Sequence, residues 1–190
     1  EGLFEFQDEG SQLAALLCDA KPGMQVIDFC AGTGGKSLAL GAAMKNKGHL
    51  VVCDISTVRL ARAKQRLKRG GVENAERILL PAEDDRWLKK HYAGFDRVLV
   101  DAPCSGTGAW RRNPDSRWSN QAANIDELAA LQDSILTRAA RLVKPGGRLI
   151  YATCSLLPRE NDLRLATFLK ANPAFSTLDA REIWRASSKN

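Results

Sequence analysis

The sequence predicts one doubly wound α/β domain with a mostly parallel sheet, and three observations carry that reading. Short apolar runs of β type alternate along the chain with segments of helical period. Those runs are apolar almost without interruption, as strands covered by helices on both faces are. The chain has 190 residues, 44% hydrophobic and 26% charged, enough for one buried core and ordinary for a globular domain.

In chain order, strands are expected at Met24–Phe29, Leu50–Cys53, Arg77–Leu80, Arg97–Val100 and Arg148–Thr153. A glycine turn after the first strand opens a helix near Gly35. A second helix runs from Val58 to about Arg69, with Leu60, Ala63 and Leu67 as its apolar stripe. Its cations, Arg59, Arg62, Lys64, Arg66, Lys68 and Arg69, suit a solvated outer face. Ile125, Leu128, Leu131, Ile135, Ala139 and Leu142 recur at three- and four-residue steps. They mark another helix, ended by Lys144-Pro-Gly-Gly147. Phe175–Leu178 suggests a sixth strand. No repeat, low-complexity tract or internal linker interrupts the pattern, so residues 1–190 are read as one domain. The chain does not start with Met, and a fragment of a longer protein is expected.

No apolar run approaches the ~20 residues that span a bilayer, so no membrane partner is expected. The net charge of +6 points to a polyanionic partner, or else to a solvated basic surface. Five cysteines without a C-x-x-C pair argue against a disulfide framework and against a metal site. They suit a reducing interior, and a cytoplasmic location is expected. Four of them, Cys30, Cys53, Cys104 and Cys154, fall at the carboxyl ends of the expected strands, where ligands bind in such sheets.

The string Asp28-Phe-Cys-Ala-Gly-Thr-Gly-Gly-Lys-Ser37 admits three readings: a phosphate loop, a dinucleotide fingerprint or a methyltransferase cofactor loop. The first is disfavoured because Cys30 occupies the place where a phosphate loop requires Gly. In the other two, Gly32 and Gly34 permit a tight turn and a helix starts near Gly35 with its positive end toward the ligand. Asp54, at the end of the second strand, suits the two ribose hydroxyls. An acidic residue opening the loop, Asp28, suits a cationic amino-acid end better than a pyrophosphate. That fits S-adenosylmethionine.

Two further strings, Asp101-Ala-Pro-Cys-Ser-Gly-Thr-Gly108 and Tyr151-Ala-Thr-Cys-Ser155, put a thiol at each of two adjacent strand ends. With "FQDEGSQLAA", "DFCAGTGGKS", "DAPCSGTGAWRRNPD" and "YATCSLLPREN" in that order, the chain resembles the Sun/NSUN (Nol1–Nop2–Sun, Fmu/RsmB-like) family of RNA cytosine-5 methyltransferases. The resemblance implies a class I methyltransferase (Rossmann-like) fold and S-adenosylmethionine as cofactor, with S-adenosylhomocysteine as product. It implies an RNA partner, ribosomal before transfer RNA, and a monomer is expected. The family's closing strand, rich in Gly-Phe-Phe, is absent, and the chain instead ends in "DAREIWRASSKN".

The chemistry wants two cysteines because carbon 5 of cytosine is too weak a nucleophile to take a methyl group directly. A thiolate added at carbon 6 makes the ring an enamine whose carbon 5 can react. The resemblance assigns that thiolate to Cys154 and gives Cys104 a part in releasing the methylated base. Asp101 would hold the cytosine edge at ring nitrogen 3, unless it only caps the following turn. Lys36 would lie near the target base and favour the thiolate, where a solvated helix lysine is the plain alternative. The cofactor-binding set is Asp28, Cys30, Ala31, Gly32, Thr33, Gly34, Gly35, Lys36, Asp54, Asp84 and Asp101. Asp84 stands for the adenine contact among Glu83, Asp84 and Asp85, whose register is loose. Pro103 would shape the base pocket, and Glu160 and Asn161 match the family's Glu-Asn pair, implied to organise the loop around Cys154.

The target base has to leave its stack to reach such thiols. Arg111, Arg112 and Arg117, set between Trp110 and Trp118, suit phosphate contact and base stacking. A phosphate-loop NTPase and an RNA-binding module that keeps the fold without catalysis are the two rival readings.

Overall fold

The computed structural model describes residue 2 and residues 4–81, 85–115 and 124–187. Five strands form one sheet in the order β3-β2-β1-β4-β5, and every pairing is parallel. The strands are β1 Gln25–Asp28, β2 His49–Asp54, β3 Ala75–Leu79, β4 Phe95–Asp101 and β5 Val143–Ala152. Among the described residues seven α-helices surround them: α1 Glu9–Leu17, α2 Gly35–Ala43, α3 Thr57–Arg69, α4 Arg86–Lys90, α5 Ile125–Ala140, α6 Asp162–Ala171 and α7 Ala180–Ser187. None is long and apolar enough to cross a membrane among the described residues.

The uninterrupted apolar runs have the expected cause. The three central strands are covered on both sides, so successive residues feed two different cores. Ile27, Val51, Val98 and Val100 face Leu88, Ile135, Ala139 and Leu142, on the α4 and α5 side. Val26, Leu50, Val52 and Leu99 face Leu40, Met44, Leu60, Ala63 and Leu67, on the α2 and α3 side. Leu60, Ala63 and Leu67 are the buried stripe of the basic helix, whose other face is solvated.

Three expectations are corrected. Lys144-Pro-Gly-Gly147 does not end the helix; α5 stops at Ala140 and β5 begins at Val143. Phe95 pairs with Val143 and Arg97 with Arg148, so Lys144–Gly147 bulge out opposite the single residue Asp96. Gly146 takes a φ of 75° there, and a Cβ on Gly147 would lie 2.9 Å from the Lys144 carbonyl oxygen. Phe175–Leu178 forms no strand, because Phe175 turns back onto α6 and meets the Phe168 ring edge-on at 5.2 Å. Cys53 lies inside β2, fully buried in the core, so it is not at the ligand edge. Burial raises its thiol pKa well above the usual range.

The strand order reverses direction between β1 and β4, which opens a crevice at their carboxyl ends. Asp28 ends β1 and Asp101 ends β4, and Asp101 pairs in register with Ala152 of β5. The sheet therefore brings the first, fourth and fifth strand ends to one place.

Candidate active site

At the end of β1, Asp28 is fully buried. The Ser37 hydroxyl donates to its Oδ2 at 2.7 Å, and its Oδ1 has no partner among the described residues. Burial pushes its carboxyl up to about 7; the Ser37 bond opposes this and the nearby Asp101 charge adds to it. A buried carboxylate with one orphaned oxygen is costly unless a cation arrives. That oxygen fits a ligand ammonium group.

The loop after Asp28 is shaped by its glycines. Gly32 and Gly34 sit at φ 57° and 82°, where a side chain would be strained, and Gly34 N–H donates to the Ala31 carbonyl at 2.9 Å. The Gly34 position also abuts Ala63 of α3, 3.1 Å from where a Cβ would stand. Asp54 clamps this loop to β2. Its carboxylate accepts the Gly32 N–H at 2.9 Å and the Ser56 N–H at 2.8 Å, with Arg59 at 3.9 Å.

A cavity of about 220 Å³ opens in front of the loop. Of the cofactor residues named from sequence, Asp28, Cys30, Ala31, Gly32, Thr33, Gly35, Lys36 and Asp101 line it. Gly34 and Asp54 stand behind, as supports. Cys30 has its thiol pushed up to about 12, chiefly by burial, so it is a neutral wall. Glu83 and Asp84 lie outside the described residues, as do Arg117 and Trp118. Asp85 is held by Arg141 at 2.6 Å and Arg138 at 3.3 Å, which makes it a brace between α4 and α5.

The sequence did not single out Gln7, Asp8 and Ser11, of which Gln7 and Ser11 line this cavity. Arg66, expected on a solvated outer face, lines it too and donates to the Thr33 hydroxyl at 2.9 Å. Gln7 and Ser11, from the segment that opens the chain, form one wall. The Ser11 hydroxyl accepts from Lys36 Nζ at 3.1 Å, and the same ammonium is paired with Asp101 at 2.5 Å. Asp8 caps α1 and binds Arg112 at 2.9 Å, tying the loop after β4 to the start of the chain. Gln7, Asp8 and Ser11 all sit in the string "FQDEGSQ", and nothing in its periodicity tells where it docks. The Gly-Lys-Ser tail is spoken for: Ser37 serves Asp28 and Lys36 serves Asp101, so neither is presented as in a phosphate loop.

Beside Asp101, Cys104 Sγ lies 3.2 Å from Cys154 Sγ. Cys154 is exposed and Cys104 half-buried. At that separation the two thiols cannot both ionise readily, and the less buried one takes the charge. Donation from the Cys104 S–H is the main reason the Cys154 pKa falls to about 7, with Arg112 assisting and burial and Asp101 opposing. The same bond, with burial, drives Cys104 far up. The arrangement favours the thiolate on Cys154 over Cys104, with the Cys104 S–H placed to donate to it.

The two cysteine loops are stitched together. Gly108 N–H donates to the Cys154 carbonyl at 2.8 Å, where a Cβ would lie 2.8 Å from that oxygen. Leu156 N–H donates to Thr107 Oγ1 at 2.8 Å. Asn161 donates to the Ser155 and Leu157 carbonyls at 2.9 and 3.2 Å and accepts from Thr153 at 2.7 Å, folding the loop after β5 back on itself.

A family model described as 16S rRNA methyltransferase RsmB/F matches residues 15–188. The chain is similar to a Yersinia pseudotuberculosis protein named ribosomal RNA small subunit methyltransferase B, with 40% identity over 172 residues. That match covers 90% of this chain and 39% of the relative, so the chain spans about two fifths of its length. Among solved structures, NSun6 from Pyrococcus horikoshii with SFG superposes with a TM-score of 0.79 at 27% identity, covering 90% of this chain and 43% of that one. A methyltransferase homolog protein from Pyrococcus horikoshii gives 0.74 at 33% identity, covering 90% and 52%.

Proposed function

Since the chain belongs to the 16S rRNA methyltransferase RsmB/F family, we propose that it methylates carbon 5 of a cytosine in small-subunit ribosomal RNA, with S-adenosylmethionine as donor, through a covalent bond from Cys154. The observation that carries this is the pair of thiols 3.2 Å apart beside Asp101, at the mouth of a cavity with an orphaned carboxylate. A phosphate-loop enzyme would need neither the thiol pair nor the buried acid. An RNA-binding module without catalysis would have no use for a lowered thiol.

Bound S-adenosylmethionine supplies the electrophilic methyl group. Asp28 Oδ1 accepts its ammonium, and Gly32, Thr33 and Gly35 present the turn and the start of α2 to its carboxylate. Asp54 keeps free lone pairs for the ribose hydroxyls while its backbone bonds hold the loop. Ile55, 69% exposed next to it, offers an apolar face for the adenine. Asp84 would give the adenine its acidic contact.

On the substrate side, the Cys154 thiolate adds to carbon 6 of the flipped cytosine. Asp101, as general acid, delivers a proton to ring nitrogen 3 as the carbon 6 bond forms and displaces an electron pair into the ring, and Lys36 holds Asp101 in place through its 2.5 Å pair. Carbon 5 of the resulting enamine is then nucleophilic. After methylation the carbon 5 proton passes to a solvent base, its electron pair re-forms the carbon 5–carbon 6 double bond, and Cys154 leaves as the thiolate, with the Cys104 S–H assisting release by donating to it. Arg112, beside the thiolate and tethered by Asp8, meets the nucleotide's phosphate.

The test is mass spectrometry after incubation with 5-fluorocytosine RNA and S-adenosylmethionine, because fluorine at carbon 5 blocks release. An adduct on Cys154 is expected. An adduct on Cys104 alone, or none with bound RNA, overturns the reading. Calorimetry with S-adenosylhomocysteine against ATP-magnesium separates the NTPase rival.

A further inference from the structure

Glu160 is the last residue of a short 3₁₀ turn, Pro158–Glu160, yet it is fully buried. Its Oε1 accepts the Ser105 N–H at 2.8 Å and the Gln132 amide at 3.0 Å. Its Oε2 accepts the hydroxyls of Ser105 and Ser155, each at 2.5 Å. Burial works against ionisation, but these donors outweigh it and hold the carboxyl below its usual range. The Gln132 amide also donates to the Pro103 carbonyl at 3.0 Å, and the Tyr151 hydroxyl donates to the Glu160 carbonyl at 2.7 Å. One carboxylate thus gathers the loop after β4, the loop after β5 and helix α5.

The partners are placed with a purpose. Ser105 follows Cys104 directly in the chain, and Ser155 follows Cys154. Both hydroxyls land on one oxygen atom, and they are 3.1 Å from each other. With the following residue of each thiol pinned to one atom, the thiols have little freedom to separate. We propose that Glu160 is the positioning residue of this centre, fixing the distance between Cys104 and Cys154 so that the first thiol donates to the second. It touches neither substrate nor cofactor and acts through Ser105 and Ser155.

The consequence has a sign that separates positioning from mere charge. Removing a negative charge near a thiol favours its thiolate and lowers its pKa. Losing the Cys104 donor does the reverse. Besides burial and its own backbone N–H, the other groups acting on Cys154 are Asp101, which disfavours the thiolate, and Arg112, which favours it, and neither bonds to Glu160. Glu160→Gln keeps the shape of the side chain but puts a donor where two hydroxyls now donate.

The experiment is the rate of Cys154 alkylation by iodoacetamide against pH, resolved by peptide mass spectrometry in the full chain. It needs neither RNA nor cofactor, so it can succeed or fail apart from the RNA-trapping test, while the catalytic consequence rests on the proposed methyl transfer. In Glu160→Gln the alkylation midpoint is expected to rise by at least one pH unit, making Cys154 about tenfold less reactive below the midpoint. S-adenosylhomocysteine binding is expected to stay within about threefold, since no residue of the cofactor cavity bonds to Glu160. Ser155→Ala, which leaves the carboxylate and three of its bonds, should shift the midpoint in the same direction by less, and it decides the matter should Glu160→Gln not fold. An unchanged or lowered midpoint in the variant that folds overturns the proposal.

Discussion

Replacing Asp28 with Asn should make the protein more stable and its cofactor binding weaker. Its carboxyl titrates at about 7 in the fold against 3.8 in the unfolded chain, chiefly because it is buried. At about 1.4 kcal/mol per pH unit, the ionised form costs the native state about 4 kcal/mol. The sign follows from proton uptake. Between pH 3.8 and about 7 the folded protein holds a proton that the unfolded chain has released. The contribution of this one carboxyl is therefore largest below pH 4 and is lost as pH rises through 7. Asn is a neutral stand-in for the protonated acid. It can accept the Ser37 hydroxyl with its oxygen and turn its amide to the cavity. The variant should gain nothing below pH 4 and about 4 kcal/mol at pH 8, roughly 10 °C in Tm for a chain this size. The missing charge-assisted bond to the cofactor ammonium, about 1.5–3 kcal/mol, should weaken S-adenosylhomocysteine about 10- to 100-fold at pH 8. Thermal melts at pH 4 and 8, with calorimetry at pH 6 and 8, check both halves. Wild-type affinity should also fall from pH 8 to 6, and the variant's should not. A variant less stable than wild type at pH 8, or one binding as tightly, would refute the argument from the orphaned oxygen.

Two further outcomes follow from the same geometry. Cys104→Ala removes the donor that keeps Cys154 near 7, so the alkylation midpoint of Cys154 should rise, read by iodoacetamide labelling against pH; with unmodified RNA, the covalent Cys154 adduct should persist longer on denaturing gels because its release is slowed. Ser11→Ala takes one acceptor from Lys36 and leaves its pair with Asp101, so steady-state turnover should drop about 3- to 10-fold, with S-adenosylhomocysteine affinity within about twofold, in line with one neutral partner of a charged donor.

What could be read in the sequence and what could not divide along a physical line. Parallel strands buried on both faces leave an apolar run that is hard to miss, and their ends fix where ligands go. Asp28 and Asp101 end β1 and β4 and Cys154 follows β5 by two residues, so strand ends give their place, while the parts of Asp101 and Cys154 rest on the family resemblance. The bulge at Lys144–Gly147 was misread because Pro-Gly-Gly breaks a helix and kinks a strand equally well. Phe175–Leu178 carries β-type residues, but Phe168 offers a closer partner than any sheet edge. Cys53 was placed at the ligand edge because strand ends blur by a residue, and a one-residue step turns a side chain from pocket to core. Gln7, Asp8, Ser11 and Gln132 act through contacts across the fold. No spacing rule connects Gln132 to Glu160, or Ser11 to Lys36.

The charges at the strand ends are sorted in a way that suits two unlike ligands. The cavity is lined by two carboxylates, Asp28 and Asp101, and two cations, Lys36 and Arg66; Lys36 is spent on Asp101, and Arg66 on Glu5 and Thr33. What remains is one unanswered acid, the setting that favours a cationic ligand and disfavours a phosphate. A few ångströms away the balance reverses. The thiol of Cys154 stands near Arg112, whose ion pair among the described residues is an exposed one to Asp8, worth about 1 kcal/mol or less. Such a pair is readily exchanged for a phosphate, which returns two strong acceptors to the guanidinium. The local fields therefore steer a polyanion to the mouth and a cation to the floor. The thiol pair lies on the border between them. Arg112→Gln tests this division: it should weaken RNA binding and flatten its salt dependence by about one phosphate contact, while leaving S-adenosylhomocysteine affinity unchanged. Filter binding over a salt series reads the slope. An equal loss of both ligands would mean that the two fields are not separate.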